Sequence, residues 1–399
     1  MVMKTTGDQQ LVKRINRSVL LRLLRARPGL SRAKLALHSG LTKSTVSTAV
    51  RELIDEGWLV EATARPGLAL GRPSTPLQIS AHTLGLVGVE LAIDCLRVAT
   101  VSLLGDVLWS TELPLLGNAP ESVCLQVAQA VVQAHAQLAV HGLLMSGVGL
   151  GLPGAFDVRT GVLRVAPNLG WRDVPIAALV SAAFAQAGLP QVPVLIQNEA
   201  DAAALSEYEF DGANLSEALI FVTCDVGVGA GIVLNDRLYA GAQGLAGEIG
   251  HSILQFNGPL CSCGRRGCAE TYIGAHALQR ELQATGFLSE AGQNLGVLLQ
   301  NLWTSFNPGV LVVGGQSCVR HPALFDMACR TLQTYADSAG MPAPTVRVAR
   351  YGLLAAAVGA AALLLHEQLR PMQARSLSGA TPPAVAEPVC TEDEAAVLE

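Results

Sequence analysis

Apolar residues recur every three or four positions through residues 11–56, which is the period of amphipathic helices. The pattern predicts three helices, at Leu11–Ala26, Arg32–Ser39 and Lys43–Glu56. The residues predicted to face inward are Val12, Ile15, Val19, Leu20, Leu23, Leu24, Leu35, Leu37, Val46, Val50, Leu53 and Ile54. Ser31 and Thr42 precede the second and third helices as N-caps, and a strand is predicted from Trp58. This order of elements predicts a winged helix-turn-helix domain, with its wing at Leu68–Pro76.

From Leu84 onwards the pattern changes to short apolar runs separated by helical segments, which is typical of an α/β domain. The predicted strands are Leu84–Ala92, Leu96–Leu103, Val107–Leu113, Ser146–Gly151, Leu219–Cys224 and Val310–Val313. The predicted helices are Ser122–His141, Ala275–Thr285, Gly292–Phe306, Pro322–Ala339 and Leu353–Leu369. The apolar run Leu353–Leu365 is too short to span a membrane, so we expect a core helix and no membrane segment.

These patterns divide the chain into three parts. We predict a DNA-binding domain with its wing and linker at residues 1–80 and a larger body at residues 81–370. Residues 371–399 are rich in Ala and Pro and are acidic, so we expect them to be disordered. The chain has nine cysteines, and we expect no signal peptide, which together indicate reduced thiols in the cytoplasm.

Charge distinguishes the first part from the rest. Residues 1–80 contain thirteen Lys or Arg and five acidic residues, a net charge of +8, whereas the whole chain carries −5. A basic segment on an acidic body indicates a nucleic-acid module. The third helix would enter the major groove with short hydroxyls and two cations outward. The candidate DNA-contacting residues are Ser31, Lys43, Ser44, Thr45, Ser47, Thr48, Arg51 and Arg72.

Two of these assignments have plainer alternatives. The polar side of the third helix, Lys43–Glu56, is also what a solvated face of a small helical domain would show. Gly71-Arg72-Pro73 resembles a hook that inserts an Arg into a narrow minor groove, but it is equally an ordinary Pro/Gly linker.

A cluster of metal-ligating residues stands in the second half of the body. His251, Cys261, Cys263 and Cys268 fall within eighteen residues, and glycines between them allow tight turns. One imidazole and three thiolates suit tetrahedral Zn²⁺ with no position left for water, which predicts a structural metal site. Free cysteines that happen to cluster are the alternative.

The motif Gly247-Glu248-Ile249-Gly250-His251, followed by Cys261-x-Cys263-Gly264-x-x-Gly267-Cys268-x-Glu270, resembles the signature of the ROK family of repressors, open reading frames and sugar kinases. The resemblance covers residues 84–368 and implies a two-lobed body similar to actin and hexokinase, with a sugar cleft between the lobes. It implies sugar contacts from Glu248 and His251, with zinc fixing the latter, and a further contact from Glu270.

Two more stretches resemble sugar-facing loops of the family. One comprises Gly151-Leu152-Pro153-Gly154 and Ala166-Pro167-Asn168-Leu169-Gly170-Trp171, in which Gly154 and Asn168 are candidates and Trp171 is expected to pack. The other is Gln197-Asn198-Glu199, which implies sugar contacts from Asn198 and Glu199. Asn-Glu at this point resembles the xylose-repressor branch of the family.

The family resemblance breaks where a kinase needs its phosphate loop. Sugar kinases of the family have Asp-x-Gly-Gly-Thr-Lys, but this chain has Glu90-Leu91-Ala92-Ile93-Asp94. Side chains there would obstruct phosphate, and Glu199 replaces the general-base Asp with a carboxylate one methylene longer. The Gly-rich turn Asp225–Gly231, by contrast, is retained.

The sequence therefore predicts a sugar-responsive transcriptional repressor and no enzymatic activity. It would act as a homodimer or dimer of dimers on double-stranded operator DNA, with a monosaccharide such as xylose as effector. The alternatives are an ATP-dependent sugar kinase with a DNA-binding head, and a repressor controlled by a protein partner.

Overall fold

The computed structural model describes residues 9–63, 75–210, 218–242 and 244–370. The first helices are those that the periodicity predicts: α1 (Gln9–Ala26), α2 (Arg32–Ser39) and α3 (Lys43–Asp55). They are followed by the strands β1 (Leu59–Glu61) and β2 (Leu77–Ile79), which pair antiparallel. We call these five elements the head, and they form a winged helix-turn-helix. Most of the predicted wing, including Arg72, lies outside the described residues, as does the tail 371–399.

The caps of the head are as predicted, but part of its predicted core is not. Thr42 Oγ1 accepts a hydrogen bond from the Thr45 amide at 3.2 Å, so the cap of α3 is confirmed. Val12, Ile15 and Leu37, however, are 48%, 44% and 78% exposed. The buried face of α1 lies towards its C-terminal end, where its residues join a core cluster shared by the head and the body. The buried residues of α1 are Ser18, Leu20, Leu21 and Leu24.

The next elements form lobe 1. Its strands are β3 (Leu84–Leu91), β4 (Cys95–Ser102), β5 (Val107–Pro114), β6 (Leu144–Leu152), β7 (Ala155–Asp157), β8 (Val162–Ala166), β9 (Trp171–Val174) and β10 (Val194–Asn198). Its helices are α4 (Pro120–Val140) and α5 (Ile176–Gln186). The main sheet has the order β10-β6-β3-β4-β5, with β3, β6 and β10 parallel and β3, β4 and β5 antiparallel. The strands β7, β8 and β9 form a separate small sheet.

Helix α6 (Glu199–Phe210) leads from lobe 1 to lobe 2. The strands of lobe 2 are β11 (Ala218–Cys224), β12 (Val228–Leu234), β13 (Arg237–Leu238), β14 (Val310–Gly314) and β15 (Thr345–Val348). Its helices are α7 (Glu270–Ile273), α8 (Ala275–Thr285), α9 (Ser289–Phe306), α10 (Gln316–Arg320) and α11 (Pro322–Ala339), and α12 (Ala355–Leu369) ends the described chain. The sheet order β13-β12-β11-β14-β15 repeats the pattern of lobe 1.

Helices α6 and α12 lie between the two sheets. Helix α12 packs on β3 and β6 of lobe 1, and α6 packs on β11 and β12 of lobe 2. The two helices also pack on each other, so they connect the lobes through one continuous core. Two helical segments, Pro120–Val140 and Gly352–Leu369, are long and apolar enough to cross a bilayer, but here α4 and α12 pack as core helices. The predicted α/β class and the winged head are confirmed.

Candidate functional site

The four residues of the predicted metal site converge. The ligand atoms of His251, Cys261, Cys263 and Cys268 all lie within 4.8 Å of one another. Sγ of Cys263 is 3.7 Å from Sγ of Cys268, and Sγ of Cys261 is 3.7 Å from Nδ1 of His251. Zinc–sulfur bonds of about 2.3 Å in tetrahedral geometry separate two sulfurs by about 3.8 Å. The donor set and its spacing therefore fit one metal ion.

Short turns bring the chain into this geometry. The amide of Cys261 donates to the carbonyl of Arg265 at 2.8 Å, and the amide of Gly264 donates back to the carbonyl of Cys261 at 2.9 Å. Cys261 and Cys268 are buried, whereas Cys263 is exposed. Cys263 accepts a hydrogen bond from the Arg265 guanidinium at 3.4 Å. Four protein ligands around one ion would leave no open position, which is the arrangement of a structural site.

The predicted ligand His251 lies on a short 3-10 turn, Ile249–His251, that packs on β12. The contact is close: a Cβ placed on Gly250 would lie 2.2 Å from the carbonyl oxygen of Val228. Glu248, which precedes the turn, is exposed, and His251 is half-buried. Because Nδ1 of His251 faces the cysteines, Nε2 is the ring atom that a second ligand would meet.

We call residues 251–268, which carry the four predicted metal ligands, the metal loop. Glu270 connects the metal loop to the turn after β11. Its Oε1 accepts a hydrogen bond from Ser262 Oγ at 3.3 Å and lies 3.9 Å from Sγ of Cys261. Its Oε2 lies 2.9 Å from the position that a Cβ on Gly227 would take. The structure thus places Glu270 against both the metal loop and the Gly-rich turn.

On lobe 1, Asn198 organises the junction between β10 and α6. Its Oδ1 accepts from the amide of Ala200 at 2.8 Å and caps α6. Its Nδ2 donates to Oε2 of Glu199 at 2.8 Å and to the carbonyl of Gly154 at 3.1 Å. Gly154 has φ +95°, and a Cβ there would lie 2.2 Å from the carbonyl oxygen of Val165. Three of the predicted sugar residues, Gly154, Asn198 and Glu199, are therefore in direct contact.

Asn168 stands apart from this group. It lies on the 3-10 turn Pro167–Leu169 between β8 and β9, and it is exposed. Within the described part of the chain, its side-chain amide has no hydrogen-bond partner. Trp171 is buried and donates from Nε1 to the carbonyl of Asn118 at 2.6 Å, so the packing role predicted for it is confirmed.

Acidic groups from both lobes influence one another at the cleft. Burial raises the pKa of Glu199 well above its usual range, and Glu90, Glu248 and Asp225 raise it further. Burial also raises the pKa of Glu90 to about 7, against the opposing effect of Arg97, whose Nη1 is 3.1 Å from Glu90 Oε1. These carboxyl groups therefore lie close enough to affect one another's ionisation across the cleft.

Asp225 was not singled out in the sequence, where it was included only within a Gly-rich turn, yet its carboxylate lies at the cleft. Its Oδ1 accepts a hydrogen bond from the amide of Gln316, and its Oδ2 accepts from Thr223 Oγ1 at 2.9 Å. The turn itself is shorter than predicted, because β12 begins at Val228. A carboxylate at the start of an otherwise Gly-rich turn was the available signal.

The predicted DNA-contacting residues fall into three groups. Lys43, Ser44, Thr48 and Arg51 are exposed on α3, and Thr45 and Ser47 are half-buried. Ser31 is only 6% exposed, and its Oγ accepts from the Lys34 amide at 3.5 Å, so it caps α2 and does not lie on the outer face. Arg72 lies outside the described residues.

Comparison with known proteins gives matches to both parts of the chain. The model of the ROK family matches residues 86–288, and a model of winged helix-turn-helix DNA-binding domains matches residues 14–60. The putative xylose repressor of Caldicellulosiruptor sp. (strain Rt8B.4) is 30% identical over 349 residues, covering 78% of this chain and 85% of that protein. The xylose repressor of Bacillus subtilis (strain 168) is 30% identical over 344 residues, covering 80% of this chain and 87% of the relative.

Similarity also extends to kinases, over less of the chain. The glucokinase of Thermotoga maritima is 31% identical over 202 residues, which cover 50% of this chain and 60% of the enzyme. Among solved structures, a ROK family transcriptional regulator, homologue of the E. coli MLC protein, superposes with a TM-score of 0.74 at 21% identity and covers 90% of this chain and 98% of its own. A ROK hexokinase from Thermus thermophilus gives a TM-score of 0.59 at 30% identity, covering 70% of this chain and 97% of its own. The two-lobed body with a DNA-binding head is thus a known architecture.

Proposed function

The chain belongs to the ROK family, and from that premise we propose that it is a transcriptional repressor that releases its operator on binding a monosaccharide such as xylose. The observation that carries this proposal is the presence in one chain of a winged helix-turn-helix, residues 14–60, and a ROK body, residues 86–288. Relatives of comparable length are named xylose repressors. We assign residues 1–80 to DNA binding, 81–370 to the sugar-binding body and 371–399 to a disordered tail.

Operator binding would use α3. Its exposed cations, Lys43 and Arg51, make no ion pair within the described residues, so both are available to phosphates or base edges. Thr42 and Ser44 share a hydroxyl contact at 2.9 Å at the start of this helix. A homodimer in the cytoplasm would present two such helices to a palindromic operator.

The sugar would bind between the lobes. Asn198 and Glu199 at the start of α6 would face Glu248 and His251 from lobe 2, with Gly154, Asn168 and Glu270 at the edges. Carboxylates accept hydrogen bonds from vicinal hydroxyls, and amides both donate and accept them. A Glu199 carboxyl with a raised pKa brings no charge that a neutral ligand would have to offset. A ligand held from both sides favours one relative arrangement of the lobes, which supplies the differential affinity that regulation requires.

We assign Zn²⁺ to the site of His251, Cys261, Cys263 and Cys268, which fits it in donor type and spacing. Bound there, the ion would be structural. It would hold Nδ1 of His251 and so orient Nε2 towards the sugar, and it would fix the loop that contacts Glu270.

Kinase activity is the second candidate, since glucokinases are among the relatives. The carboxylate beside the Gly-rich turn argues against kinase activity. Asp225 places a carboxylate on the amide of Gln316, next to the retained Gly-rich turn. A nucleotide phosphate would meet repulsion there unless counter-charge came with it. A coupled assay of sugar-dependent ADP formation separates the two candidates.

Titration of operator DNA measured by fluorescence anisotropy tests the proposed function. At fixed salt, a responsive sugar is expected to weaken operator affinity by about 10-fold or more, because coupling between allosteric sites is commonly 5- to 150-fold. The panel would contain pentoses, hexoses and N-acetylated hexoses, with xylose first. Specific DNA binding that no sugar changes would contradict the proposal and would favour control by a protein partner.

The same titration localises the sugar site. Asn168→Ala is expected to raise the sugar concentration needed for half-release by about 10-fold, because one or two hydrogen bonds of about 1 kcal/mol each are lost. Its side chain has no other partner in the described structure, so the fold should be unaffected. Asn294→Ala, at a half-buried position of α9 where the amide donates only to the Glu290 carbonyl of its own helix, is the control and should behave as wild type.

Arg51→Ala is expected to weaken operator binding while sugar affinity stays unchanged. If Arg51 contacts a phosphate, the slope of log affinity against log salt should fall by about 1. If it contacts a base, specificity at one position should relax by about 1–3 kcal/mol. Lys13→Ala removes an equal charge from α1, where Lys13 is paired with Glu52 at 2.8 Å, and serves as the control. Equal effects of the two substitutions would refute a specific role for Arg51.

A further inference from the structure

Polar contacts of α1 join the head to the body, beside an apolar core that the two parts share. Ser18 Oγ donates to the carbonyl of Leu369 at the end of α12. Arg22 pairs with Asp236 in the hairpin between β12 and β13. Arg14 pairs with Glu367 at 2.6 Å, but both side chains are about half exposed, at 44% and 48%. Helix α1 thus contacts α12, which lies between the two sheets, and a hairpin of lobe 2.

One contact of α1 differs from the others because its acidic partner is completely buried. Glu209, near the end of α6, has a side-chain exposure of 0%, and its Oε2 lies 2.7 Å from Nη1 of Arg25. Its Oε1 lies 2.5 Å from Arg370 and 2.7 Å from Nδ1 of His366. Burial opposes its ionisation, yet His366, Arg370 and Arg25 hold the pKa of Glu209 at about 2. The carboxylate is charged and is shared between the head and the body.

The other end of the same helix lies in the proposed sugar cleft. Helix α6 begins at Glu199, which Asn198 caps, and Glu209 is its eleventh residue. At about 1.5 Å per residue the two carboxylates are roughly 15 Å apart along the axis. All residues between Ala200 and Phe210 are buried, so the helix has no flexible solvated segment between its ends.

Helix α6 is also held rigidly against α12. A Cβ placed on Gly359 would lie 1.6 Å from the carbonyl oxygen of Ala202, so the two backbones are in direct contact. Tyr208, next to Glu209, donates to Asp236, which also pairs with Arg22 of the head. A shift of α6 would therefore carry its buried carboxylate and the hairpin contact with it.

Resting on the proposed function, we propose that Glu209 is a positioning residue that couples the sugar cleft to the DNA-binding head through its buried contact with Arg25. Sugar bound at the start of α6 selects one position of the α6–α12 pair, and Arg25 makes α1 follow that position. The exposed pair of Arg14 with Glu367 contributes little to this coupling, since solvent and salt screen it.

Arg25→Ala is the variant that tests this coupling without leaving a buried charge alone. Glu209 keeps Arg370 and His366 as partners, so the body is expected to fold. Operator affinity would be measured by anisotropy with and without the sugar to which wild type responds, and sugar affinity by calorimetry with and without operator. In Arg25→Ala without operator, sugar affinity is expected to stay within about 2-fold of wild type. The ratio of operator affinity without sugar to operator affinity with sugar is expected to fall from about 10-fold or more in wild type to below about 2-fold in the variant.

Two further variants sharpen the result. Arg14→Ala, the matched control on α1, should keep the wild-type ratio, and Arg25→Lys should restore part of it because the charge remains. Hydrogen exchange across α1 gives a readout that does not need DNA: sugar should change its protection in wild type and not in Arg25→Ala. By reciprocity, operator should no longer change sugar affinity in Arg25→Ala.

The outcomes separate this proposal from the proposed function. If wild type responds to sugar and Arg25→Ala responds with the same ratio, the coupling does not run through Glu209 and the inference is overturned. The inference is also overturned if Arg25→Ala weakens operator binding by the same factor with and without sugar, because the effect of sugar is then unchanged. If wild type itself responds to no sugar, the proposed function fails first, and this inference fails with it.

Discussion

Protein in which Cys268 is replaced by serine is expected to lose its metal and its sugar binding together. Cys268 is fully buried, and its Sγ lies 3.7 Å from that of Cys263. Structural zinc sites contribute an apparent binding free energy of about 10–16 kcal/mol, which is comparable to the whole stability of a typical domain at about 5–15 kcal/mol. Without the ion, nothing comparable would hold His251 or the loop beside Glu270. We expect sugar affinity to fall by about 100-fold or more.

The measurement is metal content by elemental analysis, paired with sugar calorimetry and a thermal melt. Wild type should contain one zinc per chain, and a strong chelator should reproduce the effect of Cys268→Ser. Cys329→Ser is the matched control, because this half-buried thiol lies on α11, outside the metal loop. Operator binding without sugar should be less affected than sugar binding, since the head is built from separate elements. A metal-free wild type with full sugar affinity would refute the structural role.

The metal loop was predictable because its ligands are neighbours in sequence. His251 and Cys268 are separated by a short stretch rich in turn residues, so their convergence requires no knowledge of the rest of the fold. The helix boundaries of α2, α8 and α11 were predictable for a similar reason. Each ends at a glycine in the left-handed conformation that follows directly in the sequence.

Predictions that needed a distant partner were less successful. The apolar positions of α1 predicted a stripe that included Val12 and Ile15, yet both are substantially exposed. A helical period shows that a face exists but does not show where the partner surface ends. The apolar residues of α1 are fully buried only around Leu20 and Leu24, and that limit is a property of the tertiary structure.

The role of a glycine in the sequence was ambiguous as well, because it depends on which distant element packs against it. Gly229 and Gly231 were assigned to a turn, but both lie in strand β12. Gly231 is needed because the backbone of α6 packs directly against β12 at this position. A Cβ on Gly231 would lie 2.2 Å from the carbonyl oxygen of Ala200. Without the position of α6, a glycine needed for close packing looks the same as one needed for a turn.

The buried charges on α6 gave no sequence signal. Glu207 and Glu209 look like exposed helix residues in the sequence, but both are buried and paired with arginines far along the chain, Arg347 and Arg370. Only the fold brings these partners together. The proposed link between the cleft and the head therefore rests on the structure, whereas the cleft and the head themselves were predicted from the sequence.

Replacement of Gly359 by alanine is expected to separate the two helices on which that link depends. The added Cβ would lie 1.6 Å from the oxygen and 2.3 Å from the carbonyl carbon of Ala202. These are backbone atoms of α6, so no side chain can rotate away and the helices must move apart. Alanine favours helix by about 1 kcal/mol over glycine, but overpacking of this severity should exceed that gain. We expect a net loss of about 3 kcal/mol or more.

A loss of that size would lower the melting temperature by roughly 6–12 °C, measured by calorimetry on purified protein. Gly229→Ala is the matched control, because a Cβ there would meet Thr223 Cγ2 at 3.5 Å and Ala200 Cβ at 3.7 Å, which are ordinary contacts against the same helix. Neither glycine has positive φ, so the two substitutions differ in available space and not in backbone strain. Equal melting temperatures for both variants would show that α6 and α12 are not in rigid contact, and would remove the mechanical basis for coupling through Glu209.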